Sequence, residues 1–186
     1  MKKLIILTMA LFSLGGISFA VESVAQGNTA GKPAEHAQTI LTFRTMYGVD
    51  GPFTEEENAI REIIGDELPW VIEKYIRGSL NSKGDLKIRV RGLVFKDDPS
   101  VPAELRGIND EKEFRGLVSC LTEEGDSAVT ENVITEGFPA SESGDSNIKA
   151  KIELPNPCVA PIIMVLAGGE DKWFAVTGFE NEEEEE

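Results

Sequence analysis

A single histidine, His36, serves the whole 186-residue chain. That scarcity closes off the nucleophile–base chemistries first. A Ser-His-Asp or Cys-His site needs a histidine held in the fold, and His36 sits in a polar stretch near the amino terminus. Zinc centres need clustered Cys and His, which the chain does not have. It also lacks a phosphate-binding P-loop and the dinucleotide glycine fingerprint. Positive charge is scarce: 18 Lys and Arg stand against 33 Asp and Glu, a net charge of −15. Nucleic acid phosphates would be repelled by such a chain, and simple electrostatic docking on anionic lipid is equally disfavoured. Beyond the first twenty residues no apolar run approaches the roughly 20 residues that a membrane-spanning helix needs. The sequence names no activity.

What is present begins with an export signal. Met1-Lys-Lys3 is a short positive region, and residues 4–16 are apolar. Ser18-Phe-Ala20 then supplies small residues where a signal peptidase looks, and Ser23-Val-Ala25 offers a second cut. As a membrane anchor the run over 4–20 is short and carries Gly15, Gly16 and two serines. No cysteine lies near the cut, which argues against a lipoprotein. The expectation is a cleaved signal peptide over 1–20 and a protein secreted or periplasmic, in a bacterium. Removing Lys2 and Lys3, and no acid, takes the net charge from −15 to −17. An acidic, soluble exported domain follows.

Residues 21–38 are rich in Ala and Gly, with no hydrophobic period, and read as a flexible leader. Residues 39–47 place Leu41, Phe43, Thr45 and Tyr47 on one face at period two, a first strand. Thr54-Glu-Glu-Glu57 resembles a helix capping box, with Ala59, Ile60, Ile63 and Ile64 at helical spacing. Gly65 and Pro69 limit any helix there to two or three turns. Residues 70–80 form a second strand, and Asn81-Ser-Lys-Gly84 a turn. Residues 85–95 alternate most clearly, Leu86, Ile88 and Val90 against Lys87, Arg89 and Arg91. A long surface excursion over 96–113 contains Pro99 and Pro102. Further strands are expected at 114–121, 128–134, 148–154, 161–167 and 173–179, with a polar loop over 137–147. The segment 161–167 is apolar on both faces and belongs at the centre of a sheet. Residues 180–186 are a solvated acidic tail.

About eight short strands and at most one short helix make an all-β fold, an antiparallel β-sandwich over residues 39–179, immunoglobulin-like in class. A closed β-barrel is the alternative. Two cysteines in an oxidising compartment normally pair, so Cys120 and Cys158 are expected to staple two strands of the sandwich. Trp70 and Trp173 are expected in the core, with Leu86, Ile88, Val90, Val118, Ile152 and Ile163 between two sheets.

Several segments carry a resemblance. Leu68-Pro-Trp-Val-Ile72, Ile88-Arg-Val-Arg-Gly-Leu-Val94, Phe114-Arg-Gly-Leu-Val-Ser-Cys-Leu121, Leu154-Pro-Asn-Pro-Cys-Val-Ala-Pro-Ile162 and Trp173-Phe-Ala-Val-Thr-Gly178 resemble a group of small secreted bacterial proteins of unassigned function. The likeness covers roughly residues 43–178. It implies export and a β-fold and brings no activity, and the glutamate tail falls outside it.

Candidate sites are few. Paired carboxylates could hydrolyse glycosides, and Asp97-Asp98, Glu123-Glu124 and residues 55–57 supply acids without a specific pattern. No cofactor is implied. Calcium is the one ion for which loops offer hard oxygens, from Glu142, Asp145 and Asn147 or from Asp97 and Asp98, though neither set matches an EF-hand. The remaining feature is basic. Between Glu73 and Arg91 the chain carries six cations against two acids, and Lys87, Arg89 and Arg91 form one row along a strand. That row is a candidate anion-binding face for a polysaccharide or an acidic protein, with the glutamates of 182–186 as its mimic. A noncatalytic binding or structural module is therefore favoured over a carboxylate hydrolase.

Overall fold

The computed structural model describes residues 37–54 and 58–178. The expected signal peptide, almost all of the leader and the acidic tail lie outside the described residues.

Among the described residues there are ten strands: β1 (Thr39–Phe43), β2 (Tyr47–Gly48), β3 (Ile64–Gly65), β4 (Trp70–Asn81), β5 (Asp85–Phe95), β6 (Glu113–Glu124), β7 (Ser127–Pro139), β8 (Ser146–Lys151), β9 (Val159–Ala167) and β10 (Lys172–Val176). They form two sheets. Sheet A has the order β1-β4-β5-β8, and sheet B the order β2-β10-β9-β6-β7, with β3 joined to β10. All pairings are antiparallel except β3 with β10. The fold is a β-sandwich, not a closed barrel. The doubly apolar segment 161–167 lies in β9, central in sheet B between β10 and β6.

The inner faces meet where the alternation placed them. Leu86, Ile88, Val90, Val118, Ile163 and Trp70 are buried, as is Ile152; Trp173 is buried as expected, but on the other face of sheet B. A methyl group on Gly116 of β6 would come within 3.2–3.3 Å of Leu86, Ile88 and Ile148, so the sheets touch there at backbone distance. At the other end Trp70 stacks on Phe174 with ring centroids 4.0 Å apart, and Phe95 closes on it at 4.1 Å. Such aromatic packing supplies large buried area with defined geometry.

The outer face of sheet B is also covered. Trp173 lies there, with Phe53 against it at 5.8 Å. Arg61 donates to the Ala160 carbonyl at 3.1 Å, and Asn132 donates to the Arg61 carbonyl at 2.9 Å. These contacts tie the segment between β2 and β4 over sheet B, and Leu117, Met164 and Leu166 are buried too. Sheet A keeps an open outer face, and this asymmetry positions the site.

Three expectations are corrected. The first strand is two: β1 joins sheet A, residues 44–46 cross over, and β2 joins sheet B. No α-helix occurs among the described residues. The capping-box acids 55–57 lie outside them, but Arg61 and Glu62 have φ of 51° and 70°, which no helix permits. Ile60 and Ile63 instead exchange two backbone hydrogen bonds of 2.9 and 3.0 Å around a tight turn. A short 3-10 turn, Gly51–Thr54, precedes this segment. Finally, β7 runs on to Pro139 and β8 begins at Ser146, so the polar loop is shorter than expected. A bulge in β7 near Thr135 permits the extension, and the Thr135 hydroxyl accepts the Gly116 N–H at 2.9 Å.

The disulfide is present, with Cys120 and Cys158 sulfurs 2.00 Å apart and a sequence separation of 38. It joins β6 to the residue just before β9, its neighbour within sheet B. Immunoglobulin domains bridge their two sheets instead.

Candidate functional site: a cationic sheet face

The β4–β5 hairpin builds the site, and its turn sets the register. The Asn81 side-chain oxygen accepts N–H bonds from Lys83 and Asp85 at 2.9 and 3.0 Å. Gly84 turns the chain at φ 79°, and a Cβ there would sit 1.9 Å from the Ile152 carbonyl oxygen. The resulting ladder sets Ser79 opposite Lys87, Arg77 opposite Arg89 and Tyr75 opposite Arg91. On the far side β8 sets Lys149 opposite Lys87, Asn147 opposite Arg89 and Lys151 opposite Asp85. Opposed residues share a face. The expected row of Lys87, Arg89 and Arg91 therefore widens into a lattice that includes Arg77 and Lys149.

The lattice is open to solvent. Lys87, Arg89, Arg77 and Lys149 are exposed, and Arg91 is half-buried. They line a shallow groove of about 520 Å³. Arg91 is the anchored member: it donates to the carbonyls of Val90 and Ser146 and to the Asn147 side-chain oxygen. Arg77 lays its guanidinium over the Tyr75 ring, 4.9 Å from the centroid. Among the described residues none of these five cations has an ion pair with a carboxylate, whereas Lys151 is paired with Asp85 at 3.0 Å. Asn81 and Lys151 hold the Asp85 carboxyl below its ordinary value.

A second concavity adjoins the face, where β1 crosses to β2 beside β4. It has a volume of about 360 Å³, and its polar lining comes from Arg44, Tyr47, Asp50, Lys74, Tyr75 and Lys96. Lys96 is bound to Asp50, and that hydrogen bond holds the ammonium above its ordinary pKa. Burial, then the Asp50 charge, pushes the Tyr47 hydroxyl up.

Among the described residues the expected acids lie apart in separate surroundings, and residues 55–57 fall outside them. Asp97 lies 3.9 Å from Arg106. The Ser100 N–H and hydroxyl hold Asp98 below the ordinary carboxylate range. Glu123 and Glu124 are exposed at the end of β6. Of the candidate calcium ligands, Asp145 accepts the Gly92 N–H and Asn147 accepts from Arg91. Glu131 and Glu153 share one shallow cleft with Lys83 and Lys151, and both are exposed. Burial pushes the Asp66 carboxyl up, although it accepts the Trp70 indole N–H at 2.8 Å. Its neighbour Glu67 is held down by Lys172.

Arg77 counted among the six cations of 73–91 without being placed on the row, and Lys149 was missed by reading along the chain. Each lies in an alternating strand, so an outward direction was legible. Their adjacency to Lys87 and Arg89 depends on inter-strand register.

Fold and face together define a β-sandwich with one covered sheet and one open, cation-bearing sheet. No family model, no curated protein and no solved structure matches the chain.

Proposed function

We propose that this protein is an exported, noncatalytic binding module whose outer sheet-A face holds a polyanionic partner. The observation that carries the reading is the facing of like charges: Arg77 opposite Arg89, and Lys87 opposite Lys149. Directly opposed like charges destabilise a ladder. A chain with 33 acids had ample means to neutralise them. An anionic partner would relieve the repulsion on binding. Each contact at such exposure contributes about 0–1 kcal/mol, so affinity comes from several together and falls with salt. The acidic remainder of the surface limits partners to those that touch the face alone, which disfavours duplex nucleic acid.

The test is binding of the purified protein to an immobilised polyanion at 20 and 200 mM salt. Lys87→Glu/Arg89→Glu/Arg91→Glu is expected to abolish binding without loss of fold. Equal binding by this variant would rule the face out. Export is checked by cell fractionation and amino-terminal sequencing, with a start at Val21 or Gln26 expected.

A further inference from the structure

We infer that the polyanion is a linear acidic polysaccharide, and that its chain runs off the sheet-A face into the cleft at the β1–β2 crossing, where Arg44 and Lys74 hold an anionic group. This inference rests on the reading of the face as a polyanion site.

Face and cleft are joined by Tyr75. Its ring lies under the Arg77 guanidinium at 4.9 Å, and Tyr75 also lines the cleft. A backbone irregularity makes the junction. The β4–β5 register shifts between Ile72 and Tyr75, so β4 carries an extra residue. In a regular strand Lys74 and Tyr75 would point to opposite faces. Here neither is buried, and both border one cleft. Bulges re-aim side chains in this way and gather beside functional sites. Opposite the bulge stands Gly92 with φ 72°, where a Cβ would lie 3.2 Å from the Lys74 backbone nitrogen.

The cleft's charges favour an anion. Among the described residues Asp50 is its one carboxylate, and Lys96 binds it. Arg44 and Lys74, both exposed, have no ion pair among the described residues. Tyr75 adds half-buried ring surface, against which the C–H face of a sugar can pack. A concave site with apolar walls and a few convergent polar groups is the usual form of a ligand subsite.

Position separates the ligand classes. An acidic peptide gains most by adding its backbone to a free sheet edge. The cations lie mainly on β4 and β5, whose edges are both paired. An anionic membrane is flat and extended, and would bring the acidic remainder of the surface against like charge. A single polysaccharide chain can lie across strands and enter a cleft with its end.

The experiment titrates purified protein by calorimetry with four probes: a galacturonate octamer, the same octamer with its carboxyl groups reduced, an octaglutamate peptide and phosphatidylglycerol vesicles. The galacturonate octamer is expected to bind, and the reduced octamer to bind at least tenfold more weakly. Arg44→Ala/Lys74→Ala should weaken octamer binding about tenfold, the size expected of two exposed charge contacts. Should the double variant not fold, Arg44→Gln and Lys74→Gln are tested singly, each for about a threefold loss. Lys87→Glu/Arg89→Glu should abolish binding. Unchanged affinity in the cleft variants, with loss in the face variant, overturns the cleft and leaves the face standing. Tighter binding of octaglutamate, or binding of vesicles alone, overturns the polysaccharide class. No binding of any anionic probe overturns the face and the cleft together.

Discussion

Arg77 stands directly opposite Arg89 in the β4–β5 ladder. The two guanidiniums share the solvent face of sheet A, and Arg77 turns onto the Tyr75 ring. That contact draws Arg77 along its own strand without neutralising either charge. Such a pair costs a ladder about 0.2–1 kcal/mol relative to a neutral one.

Arg89→Glu should therefore stabilise the protein while ending polyanion binding. Glutamate at this position meets Arg77 across the ladder and has Lys87 and Arg91 two residues away on the same strand. The melting temperature is expected to rise by about 1–3 °C in low salt. The gain should vanish at high ionic strength, where exposed charges are screened. A lower melting temperature in low salt would show that the facing arginines carry no strain. A stability gain joined to a binding loss is the signature of a site kept at the expense of the fold.

The row at Lys87 and Arg89 was legible because strand side chains alternate and Leu86, Ile88 and Val90 mark the inner face. Its width was not, because Lys149 is brought to Lys87 by strands far apart in sequence. The crossing at residues 44–46 was hidden for a related reason. Phe43 is buried in one sheet and Tyr47 half-buried in the other, so the period of two ran unbroken through a change of sheet. At Ile60 and Ile63 a spacing of three fitted a helix turn and a tight β-turn equally well. Only the positive φ at Arg61 and Glu62 separates them.

The cystine closes a loop of 38 residues, and loop entropy sets its contribution at no more than about 4 kcal/mol. Cys158→Ser is expected to lower unfolding stability by about 2–4 kcal/mol in denaturant titration. Thiol assay of the unreduced, denatured wild type should find no free thiol. Two free thiols would show that the staple does not form.

Stability near the Trp70 end should depend on pH through Asp66. Burial raises its folded pKa above the unfolded value, with the Trp70 N–H and the neighbouring Glu67 pulling in opposite directions. A carboxyl raised in this way weakens the fold at neutral pH, and the loss is recovered as pH falls through the folded pKa. Glu67 has the opposite sign: Lys172 lowers its pKa, so its stabilisation is lost in acid. Asp66→Asn isolates the first effect and keeps an acceptor for the indole. The variant should melt above wild type at pH 7, and the difference should shrink in acid and close below about pH 4. A constant difference across that range would mean that Asp66 does not titrate with folding.

The five glutamates at 182–186 carry the anion chemistry that the sheet-A face would take. They lie outside the described residues, so the expectation rests on charge and on chain connectivity. A tethered acidic segment competes as a local ligand at an effective concentration set by its tether. Deleting residues 181–186 is expected to tighten polyanion binding severalfold at 20 mM salt. The gain should shrink at 200 mM salt, where screening weakens every exposed pair. Combining the deletion with Lys87→Glu/Arg89→Glu/Arg91→Glu should remove binding altogether, which separates competition for the face from a general change in net charge. A tightening that survives the triple reversal would assign the tail's effect to long-range repulsion. Unchanged binding after deletion would leave the tail with no part in the site.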